Sequence, residues 1–139
     1  MRSDVLNENS AAYLNETVLS PNHTEYHVAD VTLNAVQDVG GVHIMMAADK
    51  TFTLPAVATG AQYTLVLGVD LGASEYMRIA PNASDKFTGG CNNAAGTDNK
   101  YLGVTGAKKG ACLKLEYGNA NGWMITYQSK GNGTWAHES

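Results

Sequence analysis

The sequence predicts an all-β protein: a compact, jelly-roll-like sandwich or barrel of about nine or ten short strands behind an extended N-terminal arm. Three observations carry this. Apolar and polar residues alternate with period two over short runs, most clearly in Gln62–Val69 and Ala111–Gln128, which puts each set on one face of a strand. The 139 residues include 15 glycines, with Asn-Gly and Gly-Gly pairs between the runs, and tight turns need these residue types. Beyond residue 30 no helix of normal length is predicted.

Residues 1–29 read as an arm and residues 30–139 as a β-rich body. The arm has no sustained period; Leu6, Tyr13, Leu14, Val18, Leu19 and Tyr26 are spaced among Asn, Glu and Ser. Ser10–Leu19 has the makings of one short helix with Ser10 as its cap, and Pro21-Asn22 ends it. Spaced aromatic and leucine side chains in a segment too poor to fold alone predict an arm that orders against a partner, with those six residues as its contacts. Its removal, residues 1–28, is expected to leave the body folded.

In the body, Val31–Val36 alternates and Gly40-Gly41 turns the chain into Val42–Met46. Asp49-Lys50 leads into Thr51–Leu54, which Pro55 stops. Tyr63, Leu65, Leu67 and Val69 share one face of Gln62–Val69, while Val66 adds an apolar residue to the other, as expected of a central strand. Glu75–Ile79 runs to Pro81, Asp85–Thr88 is a short strand, Gly89–Asn99 a loop, Lys100–Val104 a strand and Gly103–Gly110 a turn region. The closing hairpin pairs Ala111–Tyr117 with Trp123–Gln128 across Gly118–Gly122. Strict alternation there sets Trp123, Ile125 and Tyr127 on one face and Met124, Thr126 and Gln128 on the other. Asn132-Gly133 turns the chain into a short end holding Trp135.

Composition narrows function. Net charge is −4, only 16% of residues are charged, and the one adjacent basic pair of note is Lys108-Lys109; nucleic-acid partners call for clustered Lys and Arg. No apolar run approaches the length of a membrane span. The first residues lack an apolar signal core, which predicts a cytosolic chain or one exported as part of something larger. Cys91 and Cys112 form either one disulfide or none.

No catalytic constellation stands out, and no cofactor or metal is expected. Gly103–Lys109 lacks the spacing and the hydroxyl of a phosphate loop. Asp70, Glu75, Asp85, Asp98 and Glu116 are scattered over loops and strand faces, with no pair marked out for glycoside chemistry. The loop serines sit in no nucleophile elbow, and no aspartate run forms a calcium loop. His23 and His27 are four apart, a metal-binding spacing on a helix, but no third ligand lies at ligand spacing nearby; they read as surface or interface residues, and His43 as exposed or at an interface. Trp123, Trp135, Tyr117 and Tyr127 read as core or subunit interface before sugar platform.

An ordered series of short signals adds to this. Thr53-Leu54-Pro55-Ala56 is followed by Tyr63–Val69, Arg78-Ile79-Ala80-Pro81-Asn82 with Asp85, Gly110–Leu115, Trp123-Met124-Ile125 and Gly133-Thr134-Trp135. In that order, over residues 42–136, the body resembles a module of tailed-bacteriophage structural proteins, found among capsid decoration (cement) proteins and among tail and fibre proteins. The resemblance implies a non-enzymatic virion protein on the outer capsid surface, made in the host bacterial cytoplasm. It would be a homotrimer that stabilises the shell by bridging subunits of the major capsid protein. The Gly-Gly-Cys-Asn-Asn loop around Cys91 departs from the module. A tail-fibre or receptor-binding component, or a small carbohydrate-binding domain, is the alternative.

Overall fold

The computed structural model describes residues 23–35, 38–56, 61–82, 85–89, 101–119 and 122–137. Among them are eleven strands in two sheets, with no helix. They are β1 (Thr24–His27), β2 (Val31–Thr32), β3 (Val42–Met45), β4 (Lys50–Thr53), β5 (Gln62–Leu67), β6 (Tyr76–Ala80), β7 (Lys86–Gly89), β8 (Leu102–Thr105), β9 (Cys112–Asn119), β10 (Gly122–Ser129) and β11 (Thr134–His137). One sheet has the order β1-β3-β5-β9-β10-β7 and the other β11-β8-β6-β4-β2. The sheets form a sandwich around a single buried apolar cluster.

Successive strands from β1 to β9 alternate between the sheets, so neighbours within a sheet run in the same direction over the first half. β1, β3 and β5 pair in parallel, and so do β2, β4 and β6. The second half is mostly antiparallel: β5 with β9, β9 with β10, β6 with β8, and β8 with β11. β7 closes the larger sheet by a parallel pairing with β10.

The period-two reading of the central strand holds: Tyr63, Leu65 and Leu67 are all buried. So does the turn near Asn132. Gly131 and Asn132 have φ of 52° and 64°, and Gly133 N–H donates to the Lys130 carbonyl at 2.7 Å, a tight turn with both central residues left-handed. Trp135 then packs inward, its Nε1–H donating to the Ser129 carbonyl at 2.8 Å.

Three expectations are corrected. Of the run Val31–Val36, the described residues 31–35 are strand only over Val31–Thr32. The Asp38 carboxylate accepts from Asn34 N–H at 2.5 Å and Asp38 N–H donates back to the Asn34 carbonyl, so the chain turns where alternation alone would continue. The body begins before residue 30: Thr24–His27 is the edge strand of the larger sheet, hydrogen-bonded along β3. The third concerns the closing hairpin. The β9–β10 register runs Lys114↔Tyr127 and then Leu115↔Ile125, so Thr126 is an extra residue, a β-bulge. The bulge reverses the phase of the residues beyond it: Trp123 and Ile125 are buried, Tyr127 is 53% exposed, and Gln128 turns inward.

Tyr63 reports on the closure of the sandwich. Its hydroxyl donates to the Asn34 carbonyl at 2.9 Å, and burial, with the Asp38 charge second, pushes its phenol up to about 12. Between pH ~10 and 12 the native state then keeps a proton that the unfolded chain has lost, so stability falls as pH rises through that window. The loss is complete only near pH ~12, and about 1 kcal/mol of it is expected between urea unfolding at pH 9 and at pH 11. Tyr63→Phe should remove that share of the alkaline slope; an unchanged slope would refute the assignment.

Candidate functional site

Two features of the β1–β3 edge are candidates, one on each face. In β1 the even positions point outward and the odd ones inward. Outward, Tyr26 and Val28 are 68% and 71% exposed. Tyr26 is paired in register with Ile44 of β3, and Met46 lies just past β3 at 38% exposure. This is an apolar strip on an edge strand, next in sequence to residues 1–22.

Inward, His23, Glu25 and His27 follow one another at period two, and the parallel register sets Glu25 opposite His43. His43 is fully buried, which corrects the expectation of an exposed or interfacial residue. Its Nε2 lies 3.0 Å from the Asp38 carbonyl oxygen. A carbonyl only accepts, so Nε2 carries the proton and Nδ1 presents a lone pair. His43 Nδ1 is 3.1 Å from His27 Nε2 and 3.4 Å from Glu25 Oε1; His27 Nε2 is 3.8 Å from the same oxygen. The two rings are stacked, with centroids 5.3 Å apart, and His23 meets His43 edge-on at 5.9 Å. Phe52 of the opposite sheet lies edge-to-face against His27 at 5.6 Å. Burial, with the His43 ring second, holds His27 below the ordinary imidazole range against the pull of Glu25 and Asp38.

His23 and His27 are therefore not isolated surface histidines. The third histidine comes from sixteen residues further on, through strand pairing. The signal in the sequence was His-x-Glu-x-His at strand period, not the spacing of four.

Of the other expected site residues, Leu6, Tyr13, Leu14, Val18, Leu19 and Cys91 lie outside the described residues, while Tyr26 is exposed on β1. Cys112 is half-buried at the start of β9, and burial pushes its thiol up, with Lys114 opposing; the thiolate is disfavoured. Several carboxylates secure turns: Asp70 accepts from Lys109 N–H at 2.9 Å and Glu75 from Gly72 N–H at 2.7 Å. Burial raises Asp85, opposed by a hydrogen bond from the Tyr117 hydroxyl. Trp123 and Trp135 are buried and form no platform. An aromatic face lies elsewhere: Arg78 sits over the Tyr76 and Tyr101 rings at 3.7 and 4.2 Å, beside a groove of about 260 Å³ that Thr134 and His137 also line.

The fold and these clusters define a class, a small two-sheet β-sandwich with a polar histidine cluster at one edge of its interior. No protein-family model matches the chain, and no curated protein matches it.

Proposed function

We propose that the chain is a non-enzymatic structural subunit, a decoration or cement protein that sits on the outer surface of a phage capsid as a homotrimer and bridges subunits of the major capsid protein. One observation supports this beyond the resemblance: the exposed apolar strip of Tyr26, Val28 and Met46 along the sheet edge whose outermost strand residues 1–22 lead into. Contiguous apolar surface on an edge is an interaction feature. An arm leaving from it extends the same contact, and many weak contacts on one lattice add up through avidity. The turn-securing roles of Asp70 and Glu75 support a reading without catalysis.

The test is a chain truncated before His23. The cut falls there and not at residue 28, because β1 belongs to the sheet. The truncated protein should melt close to the full chain yet bind empty shells at least about tenfold more weakly, the scale on which one contact among several acts. Virions should carry on the order of hundreds of copies, as lattice avidity requires. Equal affinity of the two forms, or a handful of copies per particle, would refute the reading.

A second reading, a glycan-touching tail or receptor-binding component, is favoured by the Arg78–Tyr76–Tyr101 groove, since stacked aromatics beside a guanidinium suit sugar recognition. It expects glycan-array binding that Arg78→Ala abolishes; no binding by the intact chain would remove it.

A further inference from the structure

We propose that His43 Nδ1, His27 Nε2 and Glu25 Oε1 form a binding site for a first-row divalent cation of the zinc class, with His23 and Asp38 at its rim. The site is independent of the capsid reading and fastens β1 to the body.

The geometry is that of a ligand set. The three donor atoms are 3.1, 3.4 and 3.8 Å apart. A tetrahedral zinc with bonds of about 2.0–2.1 Å holds its ligands roughly 3.4 Å from one another, so an ion fits between them with shifts of a few tenths of an ångström. His23 and Asp38 stand close to two of these ligands: one donor atom from each of His23, Glu25, Asp38 and His43 lies within 4.8 Å of the others.

The supporting contacts suit the same chemistry. A ligand histidine commonly donates its other ring N–H to a carbonyl or carboxylate, which fixes the tautomer and turns the lone pair toward the metal. The Asp38 carbonyl does this for His43 at 3.0 Å. Without metal, the proton on His27 Nε2 fills the space between the two rings. On binding, His27 carries its proton on Nδ1 and Nε2 takes the ion. Side-chain exposure rises from 0% at His43 through 15% at His27 to 46% at Glu25, a path from interior to solvent by which the ion enters. Two imidazoles and a carboxylate favour zinc, nickel, cobalt or copper over magnesium and calcium.

The consequence lies in the fold. Glu25 and His27 belong to β1, and His43 to β3, so the ion bridges the outermost pair of the larger sheet. An ion that binds only the folded chain stabilises it by mass action and holds in place the strand from which residues 1–22 depart.

The full chain, treated with a chelator and dialysed, is titrated with zinc chloride by calorimetry, with magnesium chloride as control. One equivalent of zinc is expected to bind and raise Tm by several degrees, with no saturable magnesium binding. Cobalt(II) in its place should give the intense visible bands of a tetrahedral site. Glu25→Gln, at a half-exposed position, should leave the metal-free Tm nearly unchanged and weaken zinc binding at least about tenfold. His27→Gln loses its packing on His43 and Phe52 and should lower the metal-free Tm, but it too should weaken zinc binding, so the result does not rest on the fully buried His43. The absence of saturable zinc binding, or undiminished binding by Glu25→Gln, which would put the ion elsewhere on the chain, overturns the proposal.

Discussion

Replacing Trp123 by Ala is expected to destabilise the protein by about 3–5 kcal/mol, the range for deleting a fully buried large aromatic side chain. Trp123 has no exposed surface. Its ring lies 5.5 Å from that of Tyr63 and 5.2 Å from that of Tyr117, the latter edge-to-face. These three rings come from β10, β5 and β9, which are adjacent in the larger sheet with β9 in the middle, so the cavity would border both pairings of β9. For a chain of this size the loss corresponds to a Tm drop on the order of 10 °C. Trp123→Phe should cost clearly less, about 1–2 kcal/mol, because the indole N–H is buried with no partner among the described residues and its removal relieves an unsatisfied donor. Tyr127→Ala should stay within about 0.5 kcal/mol, since that ring points to solvent. Urea unfolding of the three variants checks the set. A Tyr127→Ala variant as unstable as Trp123→Ala would mean that the strand keeps its phase and that the bulge at Thr126 is wrong.

Gly122→Ala is the second large effect, expected at about 2–4 kcal/mol from backbone strain and crowding together. Gly122 opens β10 with φ of 102°, a conformation that residues with a Cβ rarely adopt. A Cβ there would also stand 2.8 Å from the Lys86 amide nitrogen and 2.9 Å from its carbonyl oxygen. Those atoms are backbone of the paired strand β7, so neither can swing aside as a long side chain would. Relief requires β7 to move away from β10, which loosens the far edge of the larger sheet. Amide exchange should therefore quicken at Phe87 and Thr88 along with the fall in midpoint. A variant as stable as the parent would show that the β7–β10 approach is wider than this geometry requires.

Both effects bear on how much of the fold was legible in the sequence. The strands of the alternating runs from Val42 onward were, because apolar alternation is a property of consecutive residues; the edge strand Thr24–His27 was not, since its segment carries no apolar alternation. Tyr63, Leu65 and Leu67 can be assigned to one face from their spacing, and they are buried. Turns carried by left-handed residues were legible near Asn132 for the same local reason. The expected arm contacts before His23, and Cys91 of the possible disulfide, lie outside the described residues, and Tyr26 alone among those contacts can be placed.

The histidine cluster was not legible from the spacing of His23 and His27. A spacing of four tests for a helix, and this segment is a strand, where ligands fall at spacing two. Even at strand spacing, His43 enters only through the β1–β3 register, which no local pattern in either segment specifies.

The sequence by itself determined an all-β chain, the inward face of its central strand, and the turn chemistry that separates the runs. These properties arise from side-chain alternation and backbone permissiveness, each set within a few neighbouring residues. The tertiary structure decided the alternation of strands between two sheets, the turning-out of Tyr127, and the meeting of Glu25, His27 and His43. Each depends on which strands pair and in what register. That choice minimises free energy over the whole buried cluster, so one inserted residue such as Thr126 can reverse every face beyond it.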